Sequence, residues 1–305
     1  MKKVLIATEK PFAAAAVKGI QGVFDQAGYE VVLLENYESS ADWKKVSGDV
    51  DAMIIRSDKA TAEIIEAAPK LKVIVRAGAG YDNIDCEYAK EKGVVVMNTP
   101  GQNANAVAEL AIGLAIYGIR EMYSGKAGRE LRGRTLGLHG FGYVARNVFR
   151  IARALGMKVI VYTRHSRDAA GAIGLKVTKS LEDLYRKSDV VSIHVPAKGE
   201  HIRSVSYPVL RELKNGAILV NTARKEVINE DDLVRFMRER EDVKYLTDIE
   251  PDLKQVFLDE FKGRYYATPK KMGAQTAEAN TNAGVAAAEQ IVAFFESNDT
   301  SFQVN

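Results

Sequence analysis

The stretch Leu136-Gly137-Leu138-His139-Gly140-Phe141-Gly142-Tyr143-Val144-Ala145 decides the fold. Leu136 to His139 reads as a buried strand, and Tyr143 to Leu155 has the apolar spacing of a helix. The turn between them has the glycine spacing that dinucleotide sites require. Gly140 permits the tight turn, and Gly142 lets a pyrophosphate approach backbone N–H groups. Small Ala145 allows close helix–strand packing. Phe141, Tyr143 and Val144 belong to the same turn and are taken with it as cofactor-binding residues.

Working outward, short β-branched runs alternate with helical patterns in both directions. Upstream, Val4 to Ala7, Val31 to Leu34, Ala52 to Ile55, Val73 to Val75 and Val94 to Met97 read as strands. Ala13 to Gln26, Ala60 to Ala68, Glu87 to Lys92 and the long apolar Ala104 to Arg120 read as helices. Downstream, strands are predicted at Val159 to Tyr162, Val190 to Val195, Ala217 to Val220 and Tyr245 to Asp248, and a last helix at Thr276 to Glu296. Such alternation builds parallel sheets with crossover helices. Its restart near Gly133 marks a second sheet.

Composition narrows the function classes. The 305 residues suggest two domains at about 150 residues each. The 43 basic and 40 acidic side chains leave a net +3, too small an imbalance to imply a nucleic-acid surface. The single cysteine, Cys86, excludes a disulfide framework and a multi-cysteine zinc site. No metal is expected. The apolar start, Val4 to Ala7, is too short for a signal peptide, and no run reaches the roughly 18 residues of a membrane span. A cytoplasmic location without membrane partners is the expectation.

The residue that discriminates between cofactors should end the next strand, some twenty positions on. NAD-preferring sites place a carboxylate there for the ribose 2′-hydroxyl. Here Thr163-Arg164-His165-Ser166-Arg167 is neutral and then basic. A carboxylate would repel a 2′-phosphate, whereas hydroxyls and guanidinium groups bind it. NAD or NADP is therefore expected, with NADP made plausible by Thr163 and Arg164.

Beyond the turn, Arg76-Ala77-Gly78-Ala79-Gly80-Tyr81-Asp82-Asn83-Ile84-Asp85, Asn98-Thr99-Pro100-Gly101-Gln102-Asn103 and Val220-Asn221-Thr222-Ala223-Arg224 complete a pattern. It resembles the D-isomer-specific 2-hydroxyacid dehydrogenases, and among them the D-3-phosphoglycerate dehydrogenases, over nearly the whole chain. The resemblance implies two doubly wound α/β domains. A Rossmann-type dinucleotide domain, residues 102–274, would be inserted into a flavodoxin-like substrate domain of residues 1–101 and 275–305. Longer phosphoglycerate dehydrogenases carry C-terminal regulatory domains, and a chain of this length is expected to carry none. A homodimer is expected, through the region of the helix Ala104 to Arg120.

The resemblance also distributes roles. Arg224 would clamp the substrate carboxylate and polarise the ketone carbonyl. Arg56 and Ser57, ending the strand Ala52 to Ile55, would hold the substrate phosphate or carboxylate. The backbone N–H groups of Gly78, Ala79 and Gly80 would form an anion nest, with Asn103 beside them. His194, Val195 and Pro196 would wall the cofactor, as would Thr222, Ala223 and Asp248.

Two departures from the family pattern concern the acid–base residues. The family's base is a histidine after Thr-Pro, but this chain reads Thr268-Pro269-Lys270-Lys271. The family's carboxylate stands some five residues beyond the strand-end aspartate, and here Glu250 follows Asp248 by two. A short subgroup of phosphoglycerate dehydrogenases with lysine for histidine is the resemblance that fits. A free lysine titrates at about 10.4 and is protonated at neutral pH, so it can act as a base only if burial or neighbouring cations favour the neutral amine. Lys271 is adjacent, and the resemblance brings Arg224 near. The catalytic set expected is Lys270, with Lys271 as its alternative, Arg224 and Glu250. The activity expected is oxidation of 3-phosphoglycerate to 3-phosphohydroxypyruvate, as in serine biosynthesis. The alternatives are a hydroxypyruvate or glyoxylate reductase, and a catalytically dead binding protein that senses NAD(P).

Overall fold

Period-two burial organises both sheets. In the first strand Val4 and Ile6 enter one apolar cluster, while Leu5 and Ala7 enter the cluster on the opposite face. Ala52 and Ile54 repeat the first set, and Met53 and Ile55 the second. Strands apolar on both faces are what a parallel sheet covered by helices requires. A computed structural model describes residues 1–305.

It divides into two units, Met1–Asn103 with Thr276–Asn305, and Ala104–Gln275. The first unit runs β1 (Lys3–Thr8), α1 (Ala14–Ala27), β2 (Glu30–Glu35), α2 (Ser40–Ser47), β3 (Ala52–Ile55), α3 (Ala62–Glu66), β4 (Val73–Arg76), α4 (Cys86–Glu91) and β5 (Val95–Asn98). Its five strands are parallel in the order β2-β1-β3-β4-β5, the flavodoxin-like order.

The second unit opens with α5 (Ala104–Ile119), then β6 (Thr135–His139), α6 (Tyr143–Ala154), β7 (Lys158–Tyr162), α7 (Arg167–Ala172), β8 (Lys176–Val177), α8 (Leu181–Lys187) and β9 (Val190–Ile193). It continues with α9 (Tyr207–Leu210), β10 (Ile218–Asn221), α10 (Glu230–Glu239), β11 (Lys244–Thr247), α11 (Lys254–Glu260) and β12 (Tyr265–Ala267). The seven strands are ordered β12-β11-β10-β9-β6-β7-β8, and every pair is parallel. Counted from β6, that is the Rossmann order with one strand added at the far edge. The expected doubly wound parallel-sheet fold is therefore what the chain adopts. Neither edge strand was legible in the sequence: β8 and β12 are too short to display a period.

The last helix, α12 (Ala277–Ser297), returns to the first unit and lies on α1. Small residues let the two backbones approach. A Cβ on Gly19 would stand 2.8 Å from Val285 Cγ2, and one on Gly284 would stand 2.8 Å from Ile20 Cδ1. Ala283, Ala287, Ala288 and Ile291 close the apolar face over Ile20 and Phe24. Truncating a side chain as buried as Ile20 costs about 2–5 kcal/mol.

Candidate active site

In the second unit, the loops following β12, β11, β10, β9, β6 and β7 all leave the carboxyl edge of one sheet. β6 and β9 are neighbours whose crossovers depart in opposite directions, and this switch point is where α/β sheets open a crevice. Gly140 sits in it. The Gly140 N–H donates to the Tyr162 carbonyl at 2.8 Å, and the His194 N–H donates to the His139 carbonyl at 2.7 Å. Gly140 has φ +97°, and a Cβ there would lie 2.7 Å from the His194 oxygen and 2.8 Å from Val195 Cγ1. No other residue type fits.

Two residues on, the surroundings differ. A Cβ on Gly142 would meet nothing within 4 Å, so the backbone there faces open space. α6 starts without a side-chain cap, leaving its first N–H groups for an outside acceptor. These features fit a dinucleotide pyrophosphate. Phe141 does not join them through its side chain: its ring is buried in the core against Phe149, which leaves only its backbone to the turn. Tyr143 is exposed and Val144 half-buried.

The end of β7 carries the discriminating loop. Thr163 is buried, and its carbonyl accepts from Arg167 Nε at 3.2 Å. Arg164 is exposed and pairs with Glu200, and its Nε donates to Tyr162 Oη at 3.4 Å. Glu200 had no sequence signal. It lies in a turn after β9, and it opposes the positive charge that Arg164 was expected to offer a 2′-phosphate.

Beneath this end lie three imidazoles. Burial, with His201 and His194 adding to it, lowers His139 to about 3. Burial alone lowers His194 to about 3. His139 Nδ1 and His194 Nε2 are buried without a hydrogen-bond partner. Both rings are neutral near pH 7, which suits the apolar wall expected of His194, Val195 and Pro196.

Along β10 the edge becomes polar. Asn221 is fully buried, its Nδ2 donating to the Arg224 carbonyl at 3.0 Å and its Oδ1 accepting from the Ala223 N–H at 3.0 Å. The side chain thus shapes the turn that presents Thr222, Ala223 and Arg224, a role the sequence did not reveal. Thr222 Oγ1 is buried and unpartnered. Arg224 is half-buried; its Nη1 donates to the Ala223 carbonyl at 2.9 Å, and no carboxylate pairs with it.

At β11 and β12 a single carboxylate dominates. Asp248 is buried and accepts from Thr268 Oγ1 at 2.7 Å, the Met272 N–H at 2.7 Å and the Gly273 N–H at 2.8 Å. The loop it holds carries Lys270 and Lys271, both exposed, so the partial burial expected of Lys270 is not found. The loop projects beyond the sheet, with Pro269 also exposed at its start. Glu250 is exposed too, and accepts from Lys254 Nζ at 2.7 Å in an ordinary i,i+4 pair. Its carboxylate is engaged away from Asp248's bonds.

The first unit, taken by itself, has polar loops of its own. Arg56 is half-buried, its Nη2 donating to Asn280 Oδ1 at 2.6 Å and its guanidinium lying 4.9 Å from the Phe12 ring. Burial lowers it from the ordinary arginine value, against the opposing pull of Asp58. Ser57 is exposed. The expected nest is smaller than foreseen: the Gly78 N–H donates to the Arg76 carbonyl at 2.8 Å, leaving those of Ala79 and Gly80. Gly78 has φ +148°, a backbone conformation that favours glycine. Asn103 is half-buried in the loop before α5.

Comparison with known proteins converges on one family. The description "D-isomer specific 2-hydroxyacid dehydrogenase, catalytic domain" matches residues 8–305. A hydroxypyruvate reductase of Thermotoga maritima is 37% identical over 268 residues, 81% of this chain and 85% of that protein. A D-3-phosphoglycerate dehydrogenase of Methanocaldococcus jannaschii is 35% identical over 80% of this chain, which spans 49% of that relative's length. Among solved structures, an NAD+-bound 3-phosphoglycerate dehydrogenase of Entamoeba histolytica superposes with a TM-score of 0.87 at 47% identity, covering 100% of this chain and 98% of that one. No helix is long and apolar enough to cross a membrane. On the match across almost its entire length, the chain belongs to the D-isomer specific 2-hydroxyacid dehydrogenases.

Proposed function

We propose that the chain oxidises 3-phosphoglycerate to 3-phosphohydroxypyruvate with a nicotinamide dinucleotide, the entry reaction of serine synthesis. The observation that carries the substrate is the likeness to the Entamoeba enzyme at 47% identity across both chains. Bound nicotinamide supplies the acceptor for the C2 hydride. The Gly140 to Ala145 turn and the α6 N-terminus hold the pyrophosphate. The Thr163 loop takes the adenosine ribose, and Thr222, Ala223 and the His194 to Pro196 segment flank the nicotinamide half.

Arg224 binds the substrate carboxylate through paired N–H donors and stabilises negative charge on the C2 oxygen. Lys270 takes the C2 hydroxyl proton, and Lys271 stands beside it in the same loop. Glu250 is a poor partner for that amine, because its carboxylate is paired with Lys254. In the first unit, Arg56, Ser57 and the N–H groups of Ala79 and Gly80 offer donors for the substrate's anionic groups. A homodimer and a cytoplasmic setting complete the proposal.

The second reading, reduction of hydroxypyruvate or glyoxylate, is favoured by the Thermotoga relative, of which this chain covers 85%. Steady-state assays separate the two. A kcat/KM for 3-phosphoglycerate at least tenfold above that for unphosphorylated D-glycerate supports the first reading, and the reverse ranking overturns it. Absence of turnover with every substrate and both cofactors would leave a binding protein.

A further inference from the structure

The loop bearing the two lysines is tied at both ends to one side chain. Thr268 lies at its start and Met272 and Gly273 at its end, and all three donate to the Asp248 carboxylate. Thr268 Oγ1 and the Met272 N–H share Oδ1, while the Gly273 N–H takes Oδ2. Between the ties, Pro269, Lys270 and Lys271 form an exposed arch. The Thr268 N–H extends the sheet by donating to the Thr247 carbonyl at 3.0 Å, so the base of the arch is anchored to β11 as well. Gly273 completes the fit: a Cβ there would lie 3.0 Å from Asp248 Oδ2 and 3.3 Å from Val107 Cγ2.

We propose that Asp248 is a positioning residue for the lysine base, its carboxylate closing the arch so that Lys270 is held at one height above the sheet edge. The inference rests on the assignment of Lys270 as base. Its physical content is entropic. A lysine carries four rotatable bonds on its stem, and a loose backbone beneath them multiplies the positions its Nζ visits. Fixing both ends of a three-residue arch removes the backbone share of that freedom. A displacement of about 1 Å from the reacting proton is enough to cost on the order of a hundredfold in rate.

Asp248→Asn keeps the shape but replaces one acceptor by an NH2 group, which cannot accept from the N–H or O–H that faces it. Two readouts are needed. The first is hydrogen exchange at the Met272 and Gly273 amides, which reports the ties without reference to catalysis. The second is kcat at saturating cofactor, with the cofactor Kd measured separately by fluorescence titration. The expected result is faster exchange at both amides and a loss in kcat on the order of a hundredfold with cofactor saturating. A tenfold weaker Kd with unchanged kcat would make Asp248 a cofactor ligand and overturn the proposal. Should Asp248→Asn fail to fold, Thr268→Val removes one tie alone, and Thr268→Ser restores it. The valine variant is expected to lose on the order of tenfold in kcat and the serine variant to recover most of it, whereas equal rates would overturn the positioning role. Full turnover by both Lys270→Ala and Lys271→Ala, with exchange still accelerated in Asp248→Asn, would sink the lysine assignment and reduce the ties to a structural contact.

Discussion

Two ends of one sheet edge are built by opposite means. At the β6–β9 end, the turn is fixed by backbone alone: Gly140 packs against the His194 carbonyl with no room for a side chain. At the β11–β12 end, the loop is held by the Asp248 side chain reaching to Thr268, Met272 and Gly273, and glycine at 273 only leaves that carboxylate room. The difference teaches where adaptability resides. A backbone-coded turn suits a constant ligand portion such as a pyrophosphate, whereas a loop tied by one carboxylate can exchange its projecting residues. That freedom makes a lysine in place of histidine structurally inexpensive.

The largest effect is expected at the tied loop. Lys270→Ala should lower kcat by at least about a thousandfold, within the range for losing a general base, while cofactor binding stays nearly intact. Lys270→Arg should be equally inactive, since guanidinium does not release its proton in the working range. An active Lys270→Ala beside a dead Lys271→Ala would move the role one residue along the arch.

Arg224→Lys, between the two ends, should cost on the order of a hundredfold in kcat/KM, about 3 kcal/mol, because the planar donor fork is lost while the charge remains. Near-normal kinetics would remove the arginine from the substrate.

The backbone-coded end predicts a contrast between neighbours. Gly140→Ala should destabilise the fold by about 1–3 kcal/mol from strained backbone alone, before its overlap with His194 is counted. Gly142→Ala should stay within about 0.5 kcal/mol in chemical unfolding yet raise the cofactor KM. Equal stabilities would break the distinction drawn here.

Smaller effects attend the cofactor's ribose. Glu200→Gln releases Arg164 and should move preference toward NADP by on the order of tenfold, while Thr163→Asp should move it toward NAD by a similar factor. Parity in both variants, measured as ratios of kcat/KM, would show that this loop does not face the ribose.

The buried imidazoles give a dependence on pH. Unfolded histidines take up protons below about pH 6.5. His139 and His194 in the folded chain do so only near 3. Their stabilising contribution is therefore fully present above pH 6.5 and is lost as pH falls toward 3, by at most about 1.4 kcal/mol per pH unit for each ring. Urea unfolding of His139→Gln between pH 7 and 4 should show a shallower slope than the unaltered chain; identical slopes would dismiss His139 as a contributor.

How much of this was legible in the sequence follows from the same contrast. Gly140 and Gly142 announce themselves because glycine spacing is local, and the strand cores of both sheets because apolar period is local. The doubly wound class followed from them. Glu200 meets Arg164 only after the chain has crossed from β7 through β9, and nothing near either residue records that pairing. Asn221 could have been noticed as a polar residue ending an apolar run. Its two bonds to Ala223 and Arg224 are local, but their geometry depends on β10 being buried. The exposure of Lys270 was missed because burial was inferred from the chemistry required of it. Phe141 and the Gly78 N–H were likewise credited to ligands when packing and a short-range hydrogen bond claim them.

The return of α12 to the first unit has a consequence in time. During synthesis the strands β1 to β5 emerge first, but the face that Ala283, Ala287 and Ile291 cover stays open until the final helix follows. All of Ala104–Gln275 is made in between. At ribosomal speeds of about 5–20 residues per second, that interval is on the order of ten to thirty seconds. The second unit, continuous in sequence, can close its own core during that wait. Until then the side of Ile20 and Phe24 that α12 will cover stays open to water, although β1 and β3 already cover the other.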